Sequence, residues 1–197
     1  MQIKICGIKD ELNAFEISAL DVDYLGLIFA KSKRAVSLKK AQSISLEICK
    51  NGKKIVGVFV DESFDFMLKC VELARLSIIQ THKPLLKSEY LTLKAKNVEI
   101  WQVISVENSI DLKNYKNYDL ILFDAKGALK GGNGFSFDWN LLKNFKQDFA
   151  LAGGIGLSNI KDAMKTGAKI LDLNSKLEDE NGLKDIKKVK QILKELK

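Results

Sequence analysis

Polar residues and glycines follow several short apolar runs in this sequence, at the points where strands would end. They are Cys6, Arg34, Asp61, Gln80, His82, Asp124, Gly153, Gly154, Asp172, Asn174 and Ser175. Such residue types can transfer protons, grip an anion or bring the backbone close to a ligand. The carboxyl ends of parallel strands meet at one edge of a sheet, so these residues would share one site.

Cys6 and Asp124 are the candidates for proton transfer. Cys6 stands in KICGIKD beside Gly7, which permits a tight turn next to the thiol. A cysteine with a lowered pKa is reactive, whereas a buried strand-end cysteine is otherwise a small apolar residue. Asp124 follows the run LILF. It could be a partly desolvated general acid, or else a helix cap or half of an ion pair.

Two glycine-rich segments are candidates for anion binding: GGNG at Gly131–Gly134, which contains Gly132, and AGGIG at Ala152–Gly156. Backbone N–H groups and the N-terminus of a helix attract anions such as phosphate. The alternative for either segment is a plain turn. AGGIG follows the seventh apolar run and Asn174-Ser175-Lys176 follows the eighth, and this order favours phosphate binding.

Three further side chains could contact a substrate. Arg34 lies in the basic loop KSKR, where it could grip a carboxylate or phosphate at two points or remain a solvated surface residue. Gln80 and His82 lie two residues apart, so an extended segment would project both to one side. His82 is the only histidine, and no second ligand stands at metal-binding spacing, so no metal site is expected.

Eight apolar runs rich in β-branched residues alternate with longer segments of helical spacing. The predicted strands are Ile3–Cys6, Tyr24–Phe29, Ile55–Val60, Ser77–Gln80, Glu99–Ile104, Leu120–Asp124, Phe149–Ala152 and Ile170–Leu173. Their near-continuous hydrophobicity is typical of strands that are covered on both faces. Strands that alternate with helices pair in parallel through right-handed crossovers.

The pattern predicts an α/β fold, a single (β/α)8 TIM barrel over residues 1–197 that is compact and has short loops. An open flavodoxin-like sheet is the alternative, but eight strands are too many for it. Because 197 residues are few for a barrel, some helices are expected to be vestigial. Helices are expected from Asp10 to Leu20, Ser37 to Lys50, Ser158 to Thr166 and Leu183 to Leu196.

Charge and cysteine content restrict the partners and the compartment. The formal net charge is +7, which favours anionic partners, but the lysines are scattered and do not form the block typical of nucleic-acid binding. The cysteines fit neither a zinc pattern nor a disulfide framework, which indicates a reducing compartment. No signal peptide or membrane span is recognisable. We expect a cytoplasmic protein with no nucleic-acid or membrane partner.

The same residues resemble a known family, phosphoribosylanthranilate isomerase. Matching stretches extend over nearly the whole chain, and their combination and order carry the resemblance. They read KICGIKD, DYLGLIFAKSKRAVS, KIVGVFVDES, IQTHK, WQVISV, LFDAKGALKGGNGFSFDW, LAGGIGLSNI and LDLNSKLEDENGLKD. The resemblance implies a barrel enzyme of tryptophan biosynthesis that performs an Amadori rearrangement of a phosphosugar without a cofactor. We expect a monomer or a weak homodimer.

The resemblance also implies roles for individual residues. Asp124 matches the general acid that opens the ribose ring, and Cys6 matches the base that removes the adjacent carbon-bound proton. Arg34 matches the arginine that holds the anthranilate carboxylate. Gly153, Gly154, Asn174 and Ser175 match the phosphate cradle, and Asp172 matches an acid at the start of the last loop. Such chemistry requires an acid that is protonated near pH 7 and a base whose ionised form is populated.

The chain departs from the family pattern at three places. Lys83 stands where the family usually has glycine, Asn133 replaces threonine in the GGTG segment, and Lys176 replaces glycine after Asn174-Ser175. We hypothesise that the Lys176 ammonium substitutes for a backbone phosphate donor. The stretch Ala125–Gly134 is a candidate lid.

Two other classes of function are alternatives to the isomerase: a different phosphosugar barrel enzyme and a basic binding module. Imidazole-ribotide isomerase would be expected to have paired aspartates where this chain has Cys6, and indole-glycerol-phosphate synthase would need a catalytic lysine and a longer N-terminus. A basic module that binds nucleic acid would show affinity that falls steeply with salt.

Overall fold

The computed structural model describes residues 1–113, 115–125 and 137–196, and its eight parallel strands close into a barrel in chain order. The strands are β1 Gln2–Cys6, β2 Tyr24–Ile28, β3 Lys54–Phe59, β4 Ile78–Thr81, β5 Glu99–Val106, β6 Leu120–Ala125, β7 Phe149–Leu151 and β8 Ile170–Leu173. β8 pairs with β1, which closes the ring. The predicted TIM barrel and all eight predicted strands are confirmed, with ends that differ by one or two residues.

Helices cover the outside of the barrel. They are α1 Glu11–Ser18, α2 Leu38–Lys50, α3 Phe64–Leu73, α4 Lys87–Ala95, α5 Ile160–Met164 and α6 Ile186–Glu195. Short 3-10 helices occupy Trp139–Leu142 and Ser175–Leu177. Between β5 and β6 the described residues form no helix, as expected for a barrel of this length.

Capping side chains fix where most helices begin. Asp10 and Ser37 accept hydrogen bonds from the backbone N–H groups of Asn13 and Lys40, and so start α1 and α2 where the sequence predicted. The last two predicted helix starts were early. α5 begins at Ile160, after Asn159, which makes no side-chain capping hydrogen bond. α6 begins at Ile186, after Asp185, whose side chain accepts from the N–H groups of Lys187 and Lys188.

Side chains alternate between the barrel interior and the helix layer, as the two-residue period of a strand requires. The interior contains an apolar cluster that includes Tyr24, Trp101 and Ile170. The rings of Tyr24 and Trp101 meet edge to face, with centroids 5.0 Å apart. Lys4 lies in register with Tyr24 of β2 and Asp172 of β8. The barrel interior is therefore packed with apolar side chains towards the amino ends of the strands, and its polar groups lie nearer the carboxyl ends.

Candidate active site

A cavity of about 750 Å³, including its open mouth, lies at the carboxyl ends of the strands. Apolar side chains form part of its wall, among them Ile28, Val58 and Val60. Its position at the carboxyl-terminal face is where barrel enzymes carry out their chemistry.

The structure brings the sequence-predicted site residues of its described part to this one cavity. Those that line it are Cys6, Arg34, Gln80, His82, Asp124, Gly153, Gly154, Asp172, Asn174 and Ser175. Gly132 and most of the candidate lid, residues 126–134, lie outside the described residues. Asp61 is exposed and is not part of the lining. Cys6 and Asp124, on β1 and β6, thus share one mouth.

Two glycines make room for the Cys6 thiol and its neighbours. Gly7 has φ +80, and a Cβ there would lie 2.7 Å from Cδ of Arg34 and 3.0 Å from Oδ1 of Asn174. Gly26 pairs with Cys6 across β1 and β2, and a Cβ there would lie 2.8 Å from the Cys6 sulfur. Larger residues at either position would collide with the site.

The Asp124 carboxyl is suited to act as an acid. Burial, together with the negative charge of Asp172, raises the pKa of Asp124 to about 6. A carboxyl with this pKa is about one-tenth protonated at pH 7, far more than an ordinary aspartate, and the protonated form can donate to a sugar oxygen.

The Cys6 thiol differs from the expectation of a populated thiolate. Cys6 is 4% exposed, and burial raises its pKa above the ordinary thiol value. Lys4 and Lys184 oppose this effect, whereas Asp172 adds to it. The thiol form therefore predominates at neutral pH, and the thiolate is a minor species.

Arg34 is buried in the cavity wall and is held by an ion-paired network. The loop after β2 folds back so that the Val36 N–H donates to the Ile28 carbonyl at 2.9 Å, which turns Arg34 inward. Its Nε and Nη2 donate to the two oxygens of Glu178, and Lys184 donates to the same carboxylate at 2.9 Å. Burial would raise the pKa of Glu178, but these two cations lower it to about 2.

The loops after β7 and β8 form the candidate phosphate cradle. Gly153 and Gly154 have φ +93 and +64, conformations that side chains disfavour, and their N–H groups have no acceptor among the described residues. The Gly156 N–H is already bound, because it donates to Asn159 Oδ1 at 2.8 Å. Lys176 is exposed and its stem packs against Gly156, so it borders the cradle but does not line the cavity.

Two buried oxygen atoms of the lining residues are unsatisfied. Oε1 of Gln80 and Oδ1 of Asp172 accept no hydrogen bond from any described group. Burying a polar atom without a partner costs about 1–3 kcal/mol, which a donor on a bound substrate would recover. The two acceptors therefore favour a ligand that carries hydroxyl or N–H groups.

Comparison with known proteins agrees with this geometry. The family model described as N-(5'-phosphoribosyl)anthranilate isomerase matches residues 3–195. This chain belongs to that family. The Campylobacter jejuni isomerase of the same name is 60% identical over 197 residues, which cover 100% of this chain and 99% of that protein.

Solved isomerases of the family share the barrel. The phosphoribosyl anthranilate isomerase of Thermus thermophilus superposes with a TM-score of 0.85 at 25% identity, over 100% of each chain. Another, solved in complex with reduced 1-(o-carboxyphenylamino)-1-deoxyribulose 5-phosphate, gives 0.80 at 27% identity over 98% of this chain and 97% of that chain. The expected family, and its isomerase activity in tryptophan biosynthesis, are confirmed.

Sequence reasoning missed three charged residues of the isomerase site. Lys4 stands inside an apolar run, but it lies two residues before Cys6, and this spacing alone places both side chains on one face of the strand. Nothing in the sequence around Glu178 and Lys184 indicates a role in the site. Glu178, for example, contacts Arg34, which lies 144 residues earlier in the chain.

The described residues of this isomerase offer neither a metal-binding cluster nor a helix able to cross a membrane. No group of three or more His, Cys, Asp or Glu residues in the described ranges is arranged to hold a metal ion. Within the same ranges no helix combines the length and apolar character needed to cross a bilayer.

Proposed function

We propose that this isomerase converts N-(5-phosphoribosyl)anthranilate to 1-(2-carboxyphenylamino)-1-deoxyribulose 5-phosphate with Asp124 as the acid and Cys6 as the base. The single observation that carries the proposal is that both side chains line one cavity together with Arg34 and the glycine loop after β7. A substrate with a carboxylate at one end and a phosphate at the other matches this arrangement.

The reaction begins with ring opening. Asp124, whose pKa is about 6, donates its proton to the ribose ring oxygen, and cleavage of the bond between that oxygen and the anomeric carbon leaves an iminium. The Cys6 thiolate then removes the proton from the adjacent sugar carbon. The resulting enol rearranges to the ketone, so no atom is gained or lost overall. The cationic iminium favours the thiolate electrostatically at the moment when the base is needed.

Arg34 would bind the anthranilate carboxylate by one edge of its guanidinium. Glu178 occupies Nε and one hydrogen of Nη2. The Nη1 and Nη2 hydrogens at the far end remain as a second fork of the correct width for a carboxylate. The orientation of Arg34 is therefore set before substrate arrives, which reduces the entropy lost on binding.

The phosphate would lie against the backbone of Gly153 and Gly154, with Asn174 and Ser175 on its other side. Backbone N–H groups in positive-φ turns form a concave anion site. Oδ1 of Asp172 and Oε1 of Gln80 would accept from the substrate's N–H and hydroxyl groups, and His82 would add a contact from the loop after β4.

The test is an assay of the purified chain. Consumption of N-(5-phosphoribosyl)anthranilate is followed as loss of the fluorescence of its anthranilate group. The product has the same mass as the substrate, so it is identified by the ketone carbon in its ¹³C NMR spectrum. Consumption without formation of the carboxyphenylamino-deoxyribulose phosphate would contradict the proposal. Cytoplasmic location and the state of monomer or weak homodimer stay predictions, which fractionation and light scattering would check.

A further inference from the structure

Lys4 is a fully buried cation in the floor of the active site. It is 0% exposed, and its Nζ lies 2.6 Å from Oδ2 of Asp172. Burial would lower the pKa of Lys4, but Asp172 and Cys6 outweigh burial and raise it, so the ammonium stays charged. Placing a charge in a barrel interior is costly even when it is paired, and an apolar residue would fill the space without that cost.

The side chain of Lys4 lies beside the thiol of Cys6. Both residues project inward from β1, because they are two positions apart on one strand. A Cβ built on Gly26 would lie 2.8 Å from the Cys6 sulfur and 3.2 Å from Cε of Lys4, so the two side chains share the space over that glycine. The positive charge of Lys4 also favours the ionised form of the Cys6 thiol. The ammonium thus has a hydrogen-bonded carboxylate, Asp172, and a neighbouring thiol, Cys6.

We propose that Lys4 is a positioning residue for the reaction, whose ammonium stabilises the thiolate of Cys6 while it anchors the carboxylate of Asp172. The proposal rests on the role of Cys6 as the base. The required step is proton removal from carbon by the thiolate of a side chain that is 4% exposed. A nearby cation has its largest effect on such a buried charge.

Other charges face Cys6 from neighbouring elements. Asp172 on β8 disfavours the thiolate, and Lys184, beyond β8, favours it. Lys184 is already committed to Glu178 and Asn174, and after burial Lys4 has the largest effect of these charges on the thiol. The same ion pair acts on the acid with the opposite sign, since Asp172 raises the pKa of Asp124 by more than Lys4 lowers it. One buried pair therefore favours an ionised base and a protonated acid.

The test measures the thiol directly, without substrate. The rate of iodoacetamide alkylation at Cys6 is followed by peptide-resolved mass spectrometry between pH 7 and 10 in the wild type and in Lys4→Met. We expect Lys4→Met to lower the thiolate fraction of Cys6 about tenfold and to raise the intrinsic nucleophilicity of that thiolate about threefold. Alkylation near neutral pH should therefore be about threefold slower than in the wild type, and the rise of the rate with pH should move to higher pH. Lys54→Met, an exposed lysine at the start of β3, is the matched control.

A second pair of variants removes the risk that an unpaired Asp172 prevents folding. Lys4→Met/Asp172→Asn is compared with Asp172→Asn alone, so that only the ammonium differs. We expect slower alkylation of Cys6 in the double variant. Equal rates and equal pH dependence in this comparison, or in Lys4→Met against wild type, would overturn the proposal.

Turnover separates this proposal from the role of Cys6 itself. If Cys6 is the base, Lys4→Met lowers kcat about tenfold or more and leaves KM within about threefold, because the cation acts on the transition state. If alkylation slows but Cys6→Ser turns over normally, Lys4 tunes the thiol and the assignment of the base is wrong. If Lys4→Met leaves the alkylation of Cys6 unchanged while Cys6→Ser is inactive, Cys6 remains the base and the proposed role of Lys4 is rejected.

Discussion

Glu178 holds the guanidinium of Arg34 side-on, through two hydrogen bonds that join residues 144 positions apart in the chain. Lys184 donates to the same carboxylate and to Asn174 Oδ1 at 2.8 Å, so one network connects the loop after β2 with the loop after β8. An arginine and a lysine with 5% and 0% side-chain exposure need this anion for charge balance. A change at Glu178 would therefore affect both Arg34, at the candidate carboxylate site, and Asn174, at the candidate phosphate cradle.

Glu178→Gln is expected to weaken substrate binding more than it slows chemistry. The amide keeps the shape of the side chain but removes the charge that orients Arg34, so we expect KM to rise about tenfold or more, and kcat to fall less than KM rises. Steady-state fluorescence kinetics give both constants. Glu180→Gln, an exposed neighbour, should behave as wild type. A normal KM in Glu178→Gln would show that Arg34 does not need the network.

Cys6→Ser should abolish most turnover while substrate still binds. The serine hydroxyl is far less acidic than a thiol, so the base is removed with little change in volume, and kcat is expected to fall about 10²- to 10⁴-fold. Binding is measured by fluorescence titration of the substrate. Cys49→Ser, on the exposed face of α2, is the control for cysteine replacement. Comparable turnover in Cys6→Ser would show that the thiol is not the base.

Asp124→Asn should lose rate without unfolding the chain. Asn cannot donate a proton as a neutral acid does, so ring opening is expected to slow about 10²- to 10⁴-fold. Because the pKa of Asp124 is raised, its charged form is disfavoured in the fold, and removing the charge should leave stability equal or higher. Urea unfolding measures this, with Asp162→Asn on the surface of α5 as the control. A large loss of stability would make Asp124 structural.

The strands and their polar ends could be predicted from sequence because they depend on local pattern. An apolar run followed by Cys6 or Asp124 places that residue at a barrel mouth once the topology is known. The charges beneath the site could not be predicted in this way. Lys4 stands inside an apolar predicted strand, and Glu178 follows the last predicted strand with no local signal. The roles of both depend on partners that only the closed barrel brings near. The ionisation of Cys6 also required the fold, because burial decides it.

Gly7→Ala should damage the site more than another glycine replacement of equal backbone strain. Gly7 and Gly167 have φ +80 and +81, so alanine costs about 1–2 kcal/mol of unfolding free energy at either position. At Gly167 a Cβ meets no atom within 4 Å, whereas at Gly7 it would collide with Arg34 at 2.7 Å. We expect Gly167→Ala to keep its KM and Gly7→Ala to raise it at least tenfold. Equal kinetics in the two variants would reject the close approach of Gly7 to Arg34.

The pH dependence of kcat/KM should be flat over several units and fall on both sides. Asp124 has a pKa of about 6 and the pKa of Cys6 is raised above its ordinary value, so the productive form, acid protonated and base ionised, is a minor species at every pH. Between the two pKa values each pH unit lowers the protonated acid tenfold and raises the thiolate tenfold, and the product is constant.

Below about pH 6 Asp124 is already protonated, and the rate falls because thiolate is lost. Above the pKa of Cys6 the thiolate is complete, and the rate falls because protonated Asp124 is lost. The substrate phosphate also titrates near pH 6, so the alkaline limb is the diagnostic one. Measured kcat/KM between pH 5 and 10.5 should hold its plateau to about pH 9. A rate that declines steadily above pH 7 would mean that the thiolate is fully formed at neutral pH and that burial does not control this thiol.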